Sequence, residues 1–185
     1  GMIEPTTAKL FADLAAAAGV GRLITWHPHC AQIRGFYAPM PVVAPDPLDE
    51  FVREFAAFRG RPDVIAVAPD EGASRLVANF GRVLGLRVAI ATKHRPERGR
   101  AAITEVIGDF AGVRVAIVLD DMISSGTTVR ELVTALAEKT RVGEIRLAAS
   151  HNLCLPAARE ALVELNRSRR LASVAVSDSI PQTPE

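Results

Sequence analysis

Two adjacent acids, Asp120 and Asp121, close a strongly apolar run, and Ser124-Ser125-Gly126-Thr127-Thr128 follows them after Met122 and Ile123. Gly126 lets the backbone curl so that successive N–H groups point at one anion. A helix starting there adds unpaired amides and the positive end of its dipole. Hydroxyls from Ser125, Thr127 and Thr128 complete a pocket of phosphate size. The adjacent carboxylates suit the two hydroxyls of a ribose and a magnesium ion, which prefers hard oxygen ligands. The competing reading is that Ser and Thr only cap a helix while the aspartates are solvated at a strand end. The chain has no Gly-Lys-Ser/Thr, so the loop is not a Walker loop.

Three further groups carry chemistry-bearing residues. His27-Pro28-His29-Cys30 runs on to Gln32-Ile33-Arg34-Gly35-Phe36. A histidine at a strand end suits a metal or a phosphate, although two histidines so spaced also read as ordinary loop residues. Zinc is disfavoured, because His27, His29 and Cys30 are too tightly clustered to wrap a tetrahedral ion. Ala68-Pro69-Asp70-Glu71-Gly72-Ala73 places an acid where it either takes a sugar hydroxyl or caps the following helix. Lys93-His94-Arg95-Pro96 opens a basic stretch, which reads as solvated surface or as cations facing a phosphate.

All four groups follow short apolar runs, and those runs set the fold. Apolar strands are read at Leu23–Trp26, Val64–Val67, Arg87–Ala91, Val113–Leu119, Glu144–Ala149 and Leu171–Val176. Helical stripes lie between them: Leu10, Phe11, Leu14, Ala15 and Ala18 behind the capping candidates Thr6 and Thr7; then Leu48, Phe51, Val52, Phe55 and Ala56 behind Asp46-Pro47. Leu76, Val77, Phe80, Val83 and Leu84 form the next stripe, Val129, Leu132, Val133 and Leu136 another, and Pro156 opens the last helix. This alternation predicts an α/β fold, a parallel sheet flanked by helices, with one domain over residues 2–180 and a loose tail at 181–185. In such sheets ligands sit beyond the carboxyl ends of the strands, where the four groups fall.

The totals narrow the partners. In 185 residues the formal net charge is +1, which gives no electrostatic reason to expect nucleic acid or an anionic membrane surface. No apolar run approaches a bilayer span and no charged-then-apolar signal segment opens the chain. Cys30 and Cys154 are too few for a disulfide framework, so a reducing cytoplasm is expected. Gly1 ahead of Met2 reads as a scar of tag removal.

The order Ile117 to Thr128 resembles the loop that binds phosphoribosyl pyrophosphate (PRPP) in type I phosphoribosyltransferases. It is most similar to that of the ribose-phosphate pyrophosphokinase family. The resemblance implies that Asp120 and Asp121 bind the ribose hydroxyls and that Ser124, Ser125, Gly126, Thr127 and Thr128 hold the 5-phosphate. Ser124 stands where that family usually has an aspartate. His27 to Phe36 resembles the family pattern Asp-Leu-His-Ala-Asp-Gln-Ile-Gln-Gly-Phe, which implies that His29 helps bind magnesium with ATP; His27 and Ala31 replace its two acids. Asp70 matches a Pro-Asp-x-Gly-Gly turn that contacts ribose phosphate, and Ala73 replaces the second glycine. The Lys93 segment resembles the mobile Lys-Arg-Arg-Pro loop, which implies that Lys93 and Arg95 neutralise charge on the transferring diphosphoryl group.

Glu4 to Leu10, Ile107-Gly108-Asp109, Ser150-His151 and Ser177 to Pro181 extend the likeness along the chain. It implies a type I phosphoribosyltransferase-like fold, with residues 2–45 matching the end of the family's N-terminal domain, and with that family's preceding region and final helix lacking here. It further implies Mg2+ held by His29, Asp70, Asp120 and Asp121, ATP as co-substrate, transfer of diphosphate to ribose 5-phosphate, and a homo-oligomer. A phosphoribosyltransferase consuming PRPP, or a non-catalytic homologue that pairs with a longer synthetase subunit, stands as the alternative.

Overall fold

In this computed structural model the described residues are 7–94, 102–168 and 170–182, with the side chains of 93, 94 and 102–104 left undescribed. The chain divides into two compact units, Gly1–Pro47 and Leu48–Glu185.

In the second unit the apolar run before Asp120 becomes a central strand. In chain order its elements are α2 (Leu48–Glu54), β3 (Val64–Ala68), α3 (Ser74–Leu84), β4 (Arg87–His94), β5 (Ala102–Ile107), β6 (Val115–Ile123), α4 (Thr127–Lys139), β7 (Glu144–Asn152), α5 (Pro156–Arg167) and β8 (Leu171–Val176). The sheet runs β5-β4-β3-β6-β7-β8, with all pairings parallel except that of β5 with β4. Sequence reading missed β5. Its strand Ala-Ile-Thr-Glu-Val-Ile follows the basic stretch closely, and its antiparallel pairing needs no crossover helix to announce it.

Strands buried on both faces need apolar residues at every position, and Val64–Ala68 has them. Ile65 and Val67 of β3 join Ala116 and Val118 of β6 beneath Leu132, Leu136, Ala158 and Leu165 of α4 and α5. On the opposite face Val64, Ala66, Ile117 and Leu119 meet Phe51, Phe55, Phe80 and Leu84. There the Phe55 and Phe80 rings stand edge to face, 6.0 Å apart between centroids. Helix α3 stops at Gly85, whose φ of +67° suits the left-handed end of a helix, and the Gly85 N–H bonds to the Gly81 carbonyl. A Cβ on Gly81 would stand 2.4 Å from Val88 Cγ1, so that glycine sets how closely α3 lies on β4.

The first unit is thinner. It holds α1 (Thr7–Ala17), a 3-10 helix at Ala31–Tyr37, and two short parallel strands, β1 (Leu23–Ile24) and β2 (Val42–Val43). The sequence predicts a buried strand over Leu23–Trp26 and a core-facing stripe on α1. Instead β1 has two residues with Ile24 exposed, and Leu10, Phe11 and Leu14 are exposed while Ala12 is the buried residue of α1. The 3-10 segment packs on the alanine side of α1, so the larger apolar side chains turn outward.

Truncating one phenylalanine in each unit separates a core from an uncovered face. Phe80→Ala is expected to cost about 3–5 kcal/mol, because Phe80 is fully buried. Phe11→Ala is expected to change stability by less than about 0.5 kcal/mol. Urea unfolding of the two variants against the parent chain checks both values.

Candidate functional site

The carboxyl ends of β3 and β6 lie side by side, since Val67 pairs with Val118. Past the end of β3 stands Asp70, and the last residues of β6 include Asp120 and Asp121, with the Ser124–Thr128 turn beyond them. The two acids belong to β6 itself, which continues to Ile123. Asp120 is 8% exposed, and one of its carboxylate oxygens accepts the Asp121 N–H at 2.9 Å.

Gly126 caps α4 with a φ of +77°, a left-handed conformation that any other residue adopts at a cost. A Cβ there would also lie 2.9 Å from Ala161 Cβ and 3.1 Å from Ala158 Cα, so the glycine allows α5 to press against the turn. No side chain caps the helix from that position, and the Gly126 carbonyl accepts the Arg130 N–H at 3.0 Å. The amides of the first turn of α4 have no partners within the helix ladder. Ser125 Oγ stands 3.0 Å from Thr127 Oγ1 and 3.4 Å from the Thr127 N–H, which draws both hydroxyls toward the helix start. This turn can bind one anion through amides, hydroxyls and the helix dipole together.

Asp70 has the geometry of the capping alternative: one carboxylate oxygen accepts the Gly72 N–H at 3.0 Å and the Ala73 N–H at 3.4 Å. Its charge nevertheless acts on Asp120. Burial first, then the Asp121 carboxylate, with Asp70 adding to it, pushes the Asp120 carboxyl up to about 7. Three acids thus lie within electrostatic reach of one another at the strand ends.

The other sequence candidates are placed as follows. Lys93 lies on β4, its backbone in register with Ile103 of β5. Arg95 lies outside the described residues. His29 belongs to the first unit, exposed, just ahead of the 3-10 helix. Among the described residues no three His, Cys, Asp or Glu side chains gather as a metal cage. Magnesium does not need one, because it keeps several waters and is commonly held by one or two carboxylates plus substrate phosphates. The mutual repulsion around Asp120 fits a cation shared in that way.

Sequence reading assigned no site role to the ends of β7 and β8, which adjoin this one. His151 is in register with Met122 of β6, and its Nδ1 lies 2.8 Å from Ser179 Oγ. The Ser150 carbonyl accepts the hydroxyls of Ser177 at 2.5 Å and Ser179 at 3.0 Å, and the Asn152 amide donates to the Gln182 side chain at 2.8 Å. The signal was available: Ser150-His151-Asn152 and Ser177-Asp178-Ser179 each end an apolar strand, as Asp120 does.

Two predictions test this geometry. Gly126→Ala forces a side chain into a left-handed turn against α5, and is expected to lower stability by about 1–3 kcal/mol in urea unfolding. For Asp120, a folded-state carboxyl raised above its unfolded value disfavours ionisation in the fold. Its protonated form stabilises the fold below about pH 4, and that contribution is lost as pH rises toward 7. Asp120→Asn is therefore expected to be more stable than the parent chain at pH 8, by the order of 2–4 kcal/mol, with the gap closing near pH 4. Urea unfolding of both proteins across that range measures it.

The chain was compared with known proteins. No protein-family model matches it. A putative ribose-phosphate pyrophosphokinase of Streptomyces coelicolor is 36% identical over 178 residues, which cover 94% of this chain and 52% of that protein. The ribose-phosphate pyrophosphokinase of Rhodopirellula baltica is 35% identical over 187 residues, covering 98% of this chain and 56% of the relative. The chain thus spans about half the length of the curated relatives it matches. Among solved structures, the phosphoribosylpyrophosphate synthetase of Mycobacterium smegmatis superposes with a TM-score of 0.76 at 26% identity, over 95% of this chain and 60% of that one. The Trypanosoma brucei adenine phosphoribosyl transferase, in complex with AMP, pyrophosphate and ribose-5-phosphate, shares the fold at a TM-score of 0.51 and 17% identity, over 74% of this chain and 67% of that one. Over the stretch it shares with these relatives, which is nearly the whole of this chain, it is similar to ribose-phosphate pyrophosphokinases.

Proposed function

We propose that this chain takes part in making PRPP, by transfer of diphosphate from ATP to the anomeric hydroxyl of ribose 5-phosphate, with release of AMP. One observation carries the reading: the left-handed Gly126 turn opens α4 shortly after the strand that carries Asp120 and Asp121, with the Ser125 and Thr127 hydroxyls 3.0 Å apart at the helix start. A sugar phosphate fits that arrangement from both ends, its phosphoryl group on the turn and its diol against the acids.

In the reaction the anomeric oxygen bonds to the β-phosphorus of ATP, the bond from that phosphorus to the α-phosphate oxygen breaks, and the hydroxyl proton passes to solvent. AMP leaves. Such a transfer is favoured by alignment and by neutralised charge more than by a covalent nucleophile. Ser124 to Thr128 bind the 5-phosphate, and Asp120 and Asp121 orient the ribose. Asp70, Asp120 and Asp121 would hold Mg2+, and His29 would assist the metal that accompanies ATP. Lys93 and Arg95 offset the negative charge that develops on the diphosphoryl group. The metal, when bound, screens the phosphates and lowers the repulsion at Asp120.

One feature favours a version in which turnover by this chain depends on other subunits: Ser124 stands where the resemblance places an acid at the phosphate turn. Association with itself or with a longer synthetase subunit, in the cytoplasm, belongs to this proposal.

The test measures AMP formed from ATP, Mg2+ and ribose 5-phosphate, alongside calorimetric binding of ribose 5-phosphate. Ser125→Ala with Thr127→Ala is expected to weaken ribose 5-phosphate binding by about 10–100-fold, from the loss of charge-assisted hydrogen bonds. Lys93→Ala is expected to leave that affinity nearly unchanged and lower turnover by at least about tenfold. Unaltered binding in the double variant would remove the turn from the site.

A further inference from the structure

The two acids of the candidate site stand on a stretch of β6 that has outrun one of its neighbours. β3 pairs with β6 as far as Val67 with Val118, whereas β7 follows β6 to its end, through Asp120–Ala149, Met122–His151 and Ile123–Asn152. Among the described residues, 119–123 of β6 therefore have a partner strand on the β7 edge alone. The end of β7 is placed alike, because β8 pairs with it only as far as Val176 with Ala149. Ser150 to Asn152 thus support the acid-bearing end of β6 at a point where the next strand has already stopped. Backbone groups along such an edge need other partners.

Side chains of the segment after β8 supply them. The Ser150 carbonyl accepts two hydroxyls, from Ser177 at 2.5 Å and from Ser179 at 3.0 Å. Ser177 Oγ in turn accepts the Ser179 N–H at 3.3 Å, so the two serines form one turn. A hydroxyl has one proton to give, and Ser179 gives it to Ser150; His151 Nδ1, 2.8 Å from the same oxygen, is then the donor to it. Further along, the Asn152 amide donates to the Gln182 side chain at 2.8 Å. Ser150 lies opposite Asp121, between the register pairs Asp120–Ala149 and Met122–His151. The Gly126 turn rests instead on Ala158 and Ala161 of α5.

We infer that Ser177 and Ser179, together with His151, are positioning residues: they hold the end of β7 in line and, through it, fix where Asp120 and Asp121 meet a ligand. This role rests on the function proposed above and divides the labour within it. The glycine turn holds a phosphoryl group by itself, while preference for a sugar phosphate over a bare phosphate depends on the serine segment. Bonds behind the groups that touch a ligand commonly change affinity by about 10–100-fold.

Inorganic phosphate and ribose 5-phosphate, each with Mg2+, are the probes, titrated calorimetrically into the full chain. The parent is expected to prefer ribose 5-phosphate. Ser177→Ala with Ser179→Ala is expected to weaken ribose 5-phosphate binding by about tenfold or more and to leave inorganic phosphate within about twofold. Ser177 is half-buried and Ser179 exposed, so these changes leave the core filled. Ser177→Thr with Ser179→Thr keeps both hydroxyls and is expected to restore the preference, which a general loss of stability would not do. Amide hydrogen exchange without ligand is expected to rise about tenfold or more over 119–123 in the alanine variant, and to stay unchanged over 115–118. Equal weakening of both probes, a threonine variant that behaves like the alanine one, or unchanged exchange over 119–123 would each overturn this role. A parent chain with no preference for the sugar phosphate would remove the proposed function and this role together. A parent with that preference beside an alanine variant that keeps it would remove this role alone.

Discussion

The site depends on a turn in which one residue must be left-handed while a helix packs against it. At Gly126 both demands meet, because the positive φ turns the chain into α4 and the absent Cβ leaves room for Ala158 and Ala161 of α5. With a bulkier residue the first-turn amides of α4 would lose their common aim, and α5 would be pushed from the sheet. The Arg130–Glu164 pair, 2.8 Å apart, spans the same two helices but lies at the surface, where such pairs add little. Close approach of backbone, not charge, holds this turn in shape.

Beside that turn the fold sets a second constraint of opposite sign. Burying Asp120 next to Asp121, within the field of Asp70, makes an ionised Asp120 unfavourable. A core optimised only for stability would place a neutral side chain there. The helix dipole at the start of α4 favours an anion, and the acids favour a cation, so opposite preferences stand at neighbouring strand ends. A sugar phosphate with a shared divalent ion meets both requirements at once, which neither a bare phosphate nor a metal alone would do.

Much of this was legible in the residues because parallel sheets leave strong traces. Continuous apolar runs such as Val64–Val67 and Val113–Leu119 could be placed, where the strands span Val64–Ala68 and Val115–Ile123, and Leu171–Val176 has the bounds that its pattern indicates. Thr127, directly after Gly126, opens α4 as the spacing implies. What was hidden followed from pairing rather than pattern. β5 is antiparallel and joins β4 at an edge, where a short alternating segment carries no distinctive signal. Asp70 shows a further limit: an aspartate two residues before a glycine reads alike whether it caps a helix or holds a sugar, and the observed bonds to Gly72 and Ala73 come from the first of these. The serine and histidine ends of β7 and β8 were readable by the carboxyl-end rule but stood apart from the glycine turn that drew attention.

The first unit departs most from its sequence pattern, and the departure has a physical logic. A stripe of Leu10, Phe11 and Leu14 states which side of a helix is meant to be buried, and it states this without regard to which polypeptide does the burying. Here the partner supplied by the unit itself, the 3-10 segment, reaches only the alanine side. The same holds for Leu23–Trp26: an apolar run becomes a full buried strand only when neighbours exist on both edges and both faces, and among the described residues β1 has one neighbour. Periodicity thus states which side of a helix is apolar, and whether that side is buried depends on what the fold lays against it.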